Sequence, residues 1–331
     1  MNRVLVPLDI VPKRLPPPSA RMLELGGHTM GTTWSVKLYG AALPPRETLQ
    51  RDIEAELQLV VAQMSTWEAQ SALSLYNSAA AGWHTLPQPC FDVIAAALDV
   101  AKQSTGAYDP TVGPVVNLWG FGPDARGDAL PGVTDIDAAR ARCGWWRVAL
   151  NEAQRAVLQP GDAYIDLSAI AKGYGVDRVA AHLREAGCDS FLVEVGGELC
   201  GEGVKPDGQP WWVELEYPVG RASAPLIVAL HGLAVATSGD YRRCWFDADG
   251  KRYAHTIDPR TGAPVRHGLA SVSVLHNRCM LADALSTALM VMGVEEGMQY
   301  AAEHDIAALF IDRDNGRYVE SMSPAMAAML D

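Results

Sequence analysis

The chain has 331 residues, 49% of them apolar and 20% charged, and its 27 Lys+Arg against 39 Asp+Glu give a net charge of −12. That composition excludes the disordered and fibrous classes. The acidic balance, with no basic run longer than two residues, argues against a nucleic-acid surface, and with no run of 18 apolar residues no transmembrane segment is expected.

Residues 1–20 carry Pro7, Pro12, Pro16, Pro17 and Pro18, and are expected to be an extended proline-rich arm outside the core or against its edge. The short apolar stretch there is broken by Pro7 and Pro12 and no small-residue cleavage site follows, so the sequence as it stands points to the cytoplasm. Gly31 to Tyr39 alternates, with Trp34, Val36 and Leu38 on one face, as a half-buried strand requires. After Pro44-Pro45, the spacing of Ile53, Leu57, Val60, Val61 and Met64 predicts a helix over 46–64, and a second helix follows over 91–103. Residues 109–131, rich in proline and glycine around Trp119 and Phe121, read as a long ordered loop. A short helix over 134–143, opened by Thr134, and another over 174–186, closed by Gly187 at C′, come next. Strands are expected at 191–195, 211–217, 226–231, 233–237 and 269–276, then helices at 281–292 and 295–303. There is no internal repeat. One α+β unit over 21–331 is the economical reading, with two closely packed lobes as its alternative.

The six cysteines, Cys90, Cys143, Cys188, Cys200, Cys244 and Cys279, form no CxxC pair and no zinc-type cluster, and read as buried thiols.

Four constellations ask for chemistry. The helix Leu281-Ala-Asp-Ala-Leu-Ser-Thr-Ala-Leu-Met-Val-Met292 is apolar nearly all round, so it is buried, and it places Asp283 and Thr287 one turn apart on one face. A buried carboxylate needs a hydrogen-bonded or cationic partner, and an oxygen-only set with one carboxylate suits Mg²⁺. Second, Asp166-Leu-Ser-Ala-Ile-Ala-Lys172-Gly-Tyr-Gly-Val-Asp177 sets Lys172 just ahead of a helix N-terminus, a phosphate environment, although no P-loop spacing is present. Third, Thr237-Ser-Gly-Asp-Tyr241 precedes His255-Thr-Ile-Asp258-Pro-Arg-Thr-Gly262. Asp258 there suits a capped tight turn, and His255 is either an acid–base group or a structural residue. No GxSxG supports a Ser-His-Asp triad. Fourth, Met64-Ser-Thr-Trp67 with Ser71 to Asn77, and Tyr108-Asp-Pro-Thr-Val-Gly-Pro114, put aromatic rings beside small hydroxyl residues, where a planar ligand would stack or where the rings simply fill the core.

In this order, together with Thr29-Met-Gly-Thr-Thr33, Val195-Gly-Gly-Glu198 and Ala282-Asp-Ala-Leu-Ser-Thr287, these segments resemble the ApbE-type FAD:protein FMN transferases over about residues 26–310. The resemblance implies an α+β fold of mixed, largely antiparallel sheets with packed helices and an FAD cleft between two closely packed lobes. It implies Mg²⁺-dependent transfer of the FMN half of FAD, as substrate, to a Thr or Ser hydroxyl of a target flavoprotein, releasing AMP. Position by position, it puts Met30, Trp67, Tyr108, Asp109 and Pro110 against the flavin nucleotide. Asp166, Lys172 and the main chain near Ala270 also fall on FAD, with Lys172 at the pyrophosphate. The metal ligands fall on the Ala169 carbonyl, Asp283 and Thr287, with Ser286 adjacent. His255 and Asp258 are the candidate bases for the acceptor hydroxyl.

Many family members are exported lipoproteins with a cysteine near the start, whereas here the first is Cys90. A missing leader would make this chain periplasmic. Two rival readings share the site: an FAD pyrophosphatase in which water replaces the acceptor, and a non-catalytic FAD carrier, for which a buried Asp283–Thr287 pair has no use.

Overall fold

A computed structural model describes residues 3–8, 15–124, 130–218, 224–247 and 249–330. Its centre is an eight-stranded sheet of β1 (Arg21–Thr29), β2 (Thr32–Gly40), β3 (Ser190–Val195), β4 (Glu198–Glu202), β5 (Leu233–Gly239), β6 (Leu269–His276), β7 (Ala307–Asp314) and β8 (Arg317–Met322). The strands lie side by side in chain order and every neighbouring pair is antiparallel.

Period-two alternation gives this sheet two apolar faces. Trp34, Val36, Leu38, Phe191, Val193, Ala234, Ala236, Val272, Val274 and Phe310 face a helical layer. That layer contains α1 (Arg46–Met64), α2 (Gln88–Gln103), α3 (Ala171–Glu185) and α4 (Cys279–Glu303). Leu192, Leu199, Val235, Leu275, Leu309 and Ile311 point the other way, onto a small sheet in which Arg3–Leu5 runs parallel to Leu226–Leu230, itself antiparallel to Trp211–Glu214. The result is three layers, α/β/β, the largely antiparallel α+β fold that the sequence implied.

The proline-rich arm is anchored rather than merely extended: Leu5 is fully buried and pairs with Leu330. Residues 9–14 of the arm, and 125–129 of the loop expected over 109–131, lie outside the described residues. That loop also holds a short helix, Gly113–Leu118, begun by Pro114. The helix expected to open at Thr134 runs Val133–Ala141 instead, with Gly132 at its N-cap and its N–H donating to Asp135 at 3.2 Å. The Arg21–Thr29 strand was not foreseen, because two glycines and an exposed edge hide its alternation. All six thiols are free, with Cys143 and Cys244 only half-buried. Gly293, at φ 79° and ψ −175°, breaks α4 between the two expected helices.

Candidate functional site

α3 starts at Ala171, three residues before the expected start, so Lys172 sits inside the first helical turn and not ahead of it. The amino group lies 2.5 Å from Glu198 Oε1 and 3.8 Å from Asp283 Oδ1. Asp283 projects from the apolar part of α4, and its Oδ2 accepts the Gly173 N–H at 3.1 Å. Glycine is required there because α3 and α4 touch: a Cβ on Gly173 would stand 2.4 Å from the Cys279 carbonyl oxygen. Glu198 comes from β4, on the same helix-facing side as Cys200 and as Glu202, which pairs with Arg184. The Gly196–Gly197 turn before it has φ of 62° and 102°. A side chain on Gly196 would meet Thr32 and the Lys172 stem.

The charges are mutually dependent. Burial works to lower Lys172, but the carboxylates of Asp283 and Glu198 overrule it and hold the ammonium above its ordinary range. Burial, joined by the charge of Asp283 and opposed by Lys172, pushes Glu198 up to about 7, and burial likewise raises Asp283. Glu198 Oε2 and the Tyr108 hydroxyl are buried with no hydrogen-bond partner among the described residues. Tyr108 is raised well above its usual range by burial and by Asp283, Asp166 and Asp109, so its hydroxyl stays protonated among carboxylates. Orphaned buried polar atoms are costly, so these two oxygens call for a partner, be it water, an ion or a ligand.

Next to this cluster runs a chain of hydroxyls. Ser238, on the helix-facing side of β5, lies 2.8 Å from Ser286 Oγ and 3.0 Å from Thr287 Oγ1, and Ser286 donates to the Asp283 carbonyl at 2.9 Å. Among the described residues no three His, Cys, Asp or Glu gather as metal ligands. Beside the hydroxyls of Ser238, Ser286 and Thr287 stands the buried Asp283 carboxylate, and Ala169, half-buried, lies just ahead of α3. That is an oxygen-only set fitting a hard divalent cation that keeps waters, and not zinc.

The loop residues converge from three segments. Tyr108 and Pro110 are buried, and the Pro110 carbonyl accepts the Asp166 N–H at 2.7 Å. Asp166 accepts Ser168 N–H at 2.8 Å. Asn77 brackets Ile165 with two 2.8 Å bonds, which is how the Ser71–Asn77 segment fixes this strand-like stretch. Asp109 uses its Oδ1 on the N–H and hydroxyl of Thr111 and its Oδ2 on Trp145 N–H. Its carboxylate therefore holds the loop's shape, and Tyr108 is the polar group it leaves unpartnered. Trp67, after α1, is 59% exposed, a free face for stacking; its neighbour Thr66 reaches Tyr164, two residues before Asp166. Met30, at φ 48° in the β1–β2 turn, has its methyl group against Gly175 of α3. The same turn, His28 to Thr33, lines an open cleft of about 490 Å³.

His255 is half-buried, and its Nδ1 meets the Arg243 carbonyl at 3.1 Å. A carbonyl only accepts, so Nδ1 carries the proton and Nε2 keeps a free lone pair. Burial, with help from the charges of Arg243 and Lys172, lowers His255 to about 4. The imidazole is thus neutral at pH 7. Asp258 is placed differently: its Oδ1 accepts from the backbone and side chain of Arg260, at 2.9 and 3.0 Å, in the tight turn closed by Gly262. Arg260 binds Glu296 as well. The Ala270 carbonyl accepts Asp240 N–H at 2.9 Å, and Ala270 lies where the β6–β7 register shifts. Glu198 and Ser238 lie within Val195-Gly-Gly-Glu198 and Thr237-Ser-Gly239 with no role assigned from sequence; the signal for both is a polar residue on the inward face of an apolar strand.

Fold and cluster together define a class: an α+β protein that buries an ammonium and oxygen donors together between its helices and its central sheet. The ApbE family model matches residues 30–310, and the chain belongs to the ApbE family. It is 41% identical over 320 residues to the FAD:protein FMN transferase of Vibrio cholerae, spanning 94% of this chain and 93% of that protein. It is 37% identical to the Haemophilus influenzae enzyme of the same name, over 94% and 92%. The apo crystal structure of Pseudomonas stutzeri flavinyl transferase ApbE superposes with a TM-score of 0.87 at 38% identity, covering 94% of this chain and 97% of that one. The Vibrio cholerae flavin transferase structure gives 0.86 at 38%, over 93% and 99%. Among the described residues no helix is long and apolar enough to cross a membrane.

Proposed function

We propose that this ApbE-family transferase cleaves the pyrophosphate of FAD with Mg²⁺ bound, and joins the FMN half to a Thr or Ser hydroxyl of a target flavoprotein, releasing AMP. The observation that carries the reading is the Lys172–Glu198–Asp283 cluster beside orphaned Tyr108 and Glu198 oxygens. Asp283, Thr287 and the Ala169 carbonyl, with Ser286 adjacent, are the residues that would hold Mg²⁺. When bound, the ion neutralises charge on the pyrophosphate oxygens.

Lys172 supplies the second positive charge, at the phosphorus–oxygen bond that breaks. Met30, Trp67, Tyr108, Pro110, Asp166 and the main chain near Ala270 surround the nucleotide in this reading, with Asp109 setting the loop that carries Tyr108. His255 Nε2 takes the proton as the acceptor oxygen bonds to the FMN phosphorus, and AMP departs with the bridging oxygen. Asp258 is the weaker candidate for that proton because Arg260 already occupies it.

The test incubates the purified chain with FAD, Mg²⁺ and an apo-flavoprotein bearing an exposed Thr, and follows acceptor mass with and without EDTA. A Mg²⁺-dependent gain of one FMN is expected. AMP and FMN released with no gain in acceptor mass would favour the pyrophosphatase, and tight FAD binding without turnover the carrier.

A further inference from the structure

We propose that Arg252, through Asp240, is a positioning residue for His255. Asp240 follows β5 directly and is buried, with a side chain only 4% exposed. Arg313, from β7, grips it with two 2.7 Å bonds. The Asp240 N–H is fixed on Ala270. Asp240 is therefore a rigid point at the end of an interior strand, two residues beyond Ser238.

Arg252 reaches this point from the opposite strand of the ribbon Cys244–Phe246/Arg252–Ala254. It donates Nη1 to the Asp240 carbonyl at 2.9 Å and Nη2 to the Asp240 carboxylate. These bonds tie the ribbon's far end, where Arg252 faces Phe246, back to the end of β5. His255 is the next residue after it, and its backbone N–H and Nδ1 both rest on the Arg243 carbonyl at 3.1 Å. Asp240 and Arg243 are three residues apart, so one ion pair ties the segment that holds the imidazole to the strand that carries it. Phe121 stands edge-on to the ring, 6.3 Å between centroids, and leaves its in-plane direction to the hydrogen bond. Removing Arg252 does not undo the fold, because the bidentate Arg313 pair keeps Asp240 neutralised. It removes the ribbon's polar tie to β5 and loosens the aim of Nε2, while the Trp119–Trp245–Tyr253 stack keeps the ribbon docked.

This inference rests on His255 acting on the acceptor hydroxyl. The test compares Arg252→Met, Arg252→Lys, His255→Ala and the double variant Arg252→Met/His255→Ala. FMN transfer to the Thr-bearing apo-flavoprotein is measured at saturating FAD and Mg²⁺, alongside FAD affinity by flavin fluorescence. Arg252→Met is expected to lower kcat for transfer about 10- to 100-fold, the loss that misaiming a proton acceptor by about an ångström brings, with FAD affinity within about twofold. Arg252→Lys is expected to recover part of the rate, since an ammonium still reaches Asp240. The double variant is expected to fall no lower than His255→Ala. A strong effect of His255→Ala beside a silent Arg252→Met overturns the inference alone, as does a parallel loss of FAD affinity and rate in Arg252→Met. A silent His255→Ala overturns the acid–base reading, and this one with it.

Discussion

Replacing Lys172 with Met tests whether the cluster is held by charge. The ammonium stands 2.5 Å from Glu198 and 3.8 Å from Asp283, two carboxylates whose side chains are 3% and 5% exposed. At an effective dielectric of about 20, one such pair at about 4 Å contributes roughly 4 kcal/mol of gross attraction, and deleting one partner of a buried pair costs about 3–5 kcal/mol net. The cost has an escape, protonation. Both carboxylates are already raised by burial, Glu198 to about 7, and without Lys172 they rise further. A raised carboxylate binds its proton more tightly folded than unfolded, so it favours the folded state below its unfolded pKa and loses that advantage as pH climbs towards the folded one.

Lys172→Met should therefore unfold about 3–5 kcal/mol more easily than the parent near pH 8, but only about 1–2 kcal/mol more easily near pH 5.5, where packing alone is lost. Urea unfolding followed by tryptophan fluorescence at both pH values reads the difference. Lys172→Met/Glu198→Gln should regain stability at the higher pH, because one of the two stranded charges is gone. Equal destabilisation at the two pH values would show that the stem of Lys172 matters and its charge does not, and would remove the electrostatic account of the site.

Gly173→Ala should cost about 3 kcal/mol and abolish turnover, since its methyl group meets the Cys279–Met280 backbone and parts the helices that position Asp283; melting temperature and AMP release check both. His255, lowered to about 4, refuses a proton that the unfolded chain accepts near 6.5. Stability conferred by its neutral form is thus lost as pH falls between those values, by roughly 1–2 kcal/mol once solvent screening of the half-exposed ring is allowed for. The parent-minus-His255→Gln unfolding free energy against pH should show that slope, and a flat difference would mean the ring is not buried in solution. Asp283→Asn should destabilise less than Lys172→Met, because Glu198 at 2.5 Å still neutralises the ammonium, and should remove Mg²⁺-dependent AMP release, read with and without EDTA.

How much of this was legible depended on whether a signal is local. The helix over 46–64 and the strand over 269–276 were read to the residue, because their apolar periods are uninterrupted and proline or polar residues flank them. The α3 start was misread because Lys-Gly-Tyr-Gly looks like a turn. Glycine lowers helix propensity, and what outweighs it is the close approach of α4, which leaves room for nothing larger at Gly173. Asp283 announced itself as a carboxylate on an apolar helix. Its partner Glu198 did not, since nothing in a strand read alone says that an ammonium waits on the next layer.

The same distinction explains why Asp258 and Asp240 exchange weight between sequence and structure. Asp258 sits in a turn motif beside a histidine and reads as chemical, yet its oxygen is spent on Arg260, two residues away. Asp240 reads as an ordinary loop residue, while its two arginines arrive from 12 and 73 residues further along the chain. In an antiparallel sheet whose neighbours follow chain order, each strand end delivers one residue to a common edge, and only the third dimension sums them. Ser238, Asp240, Ala270 and Arg313 meet in this way. A burial pattern predicts which residues point inward, but a site of this kind is fixed by which strand ends coincide. That coincidence puts the Ser238 hydroxyl against α4 on one face of β5 and, two residues on, anchors Asp240 to Ala270 and Arg313.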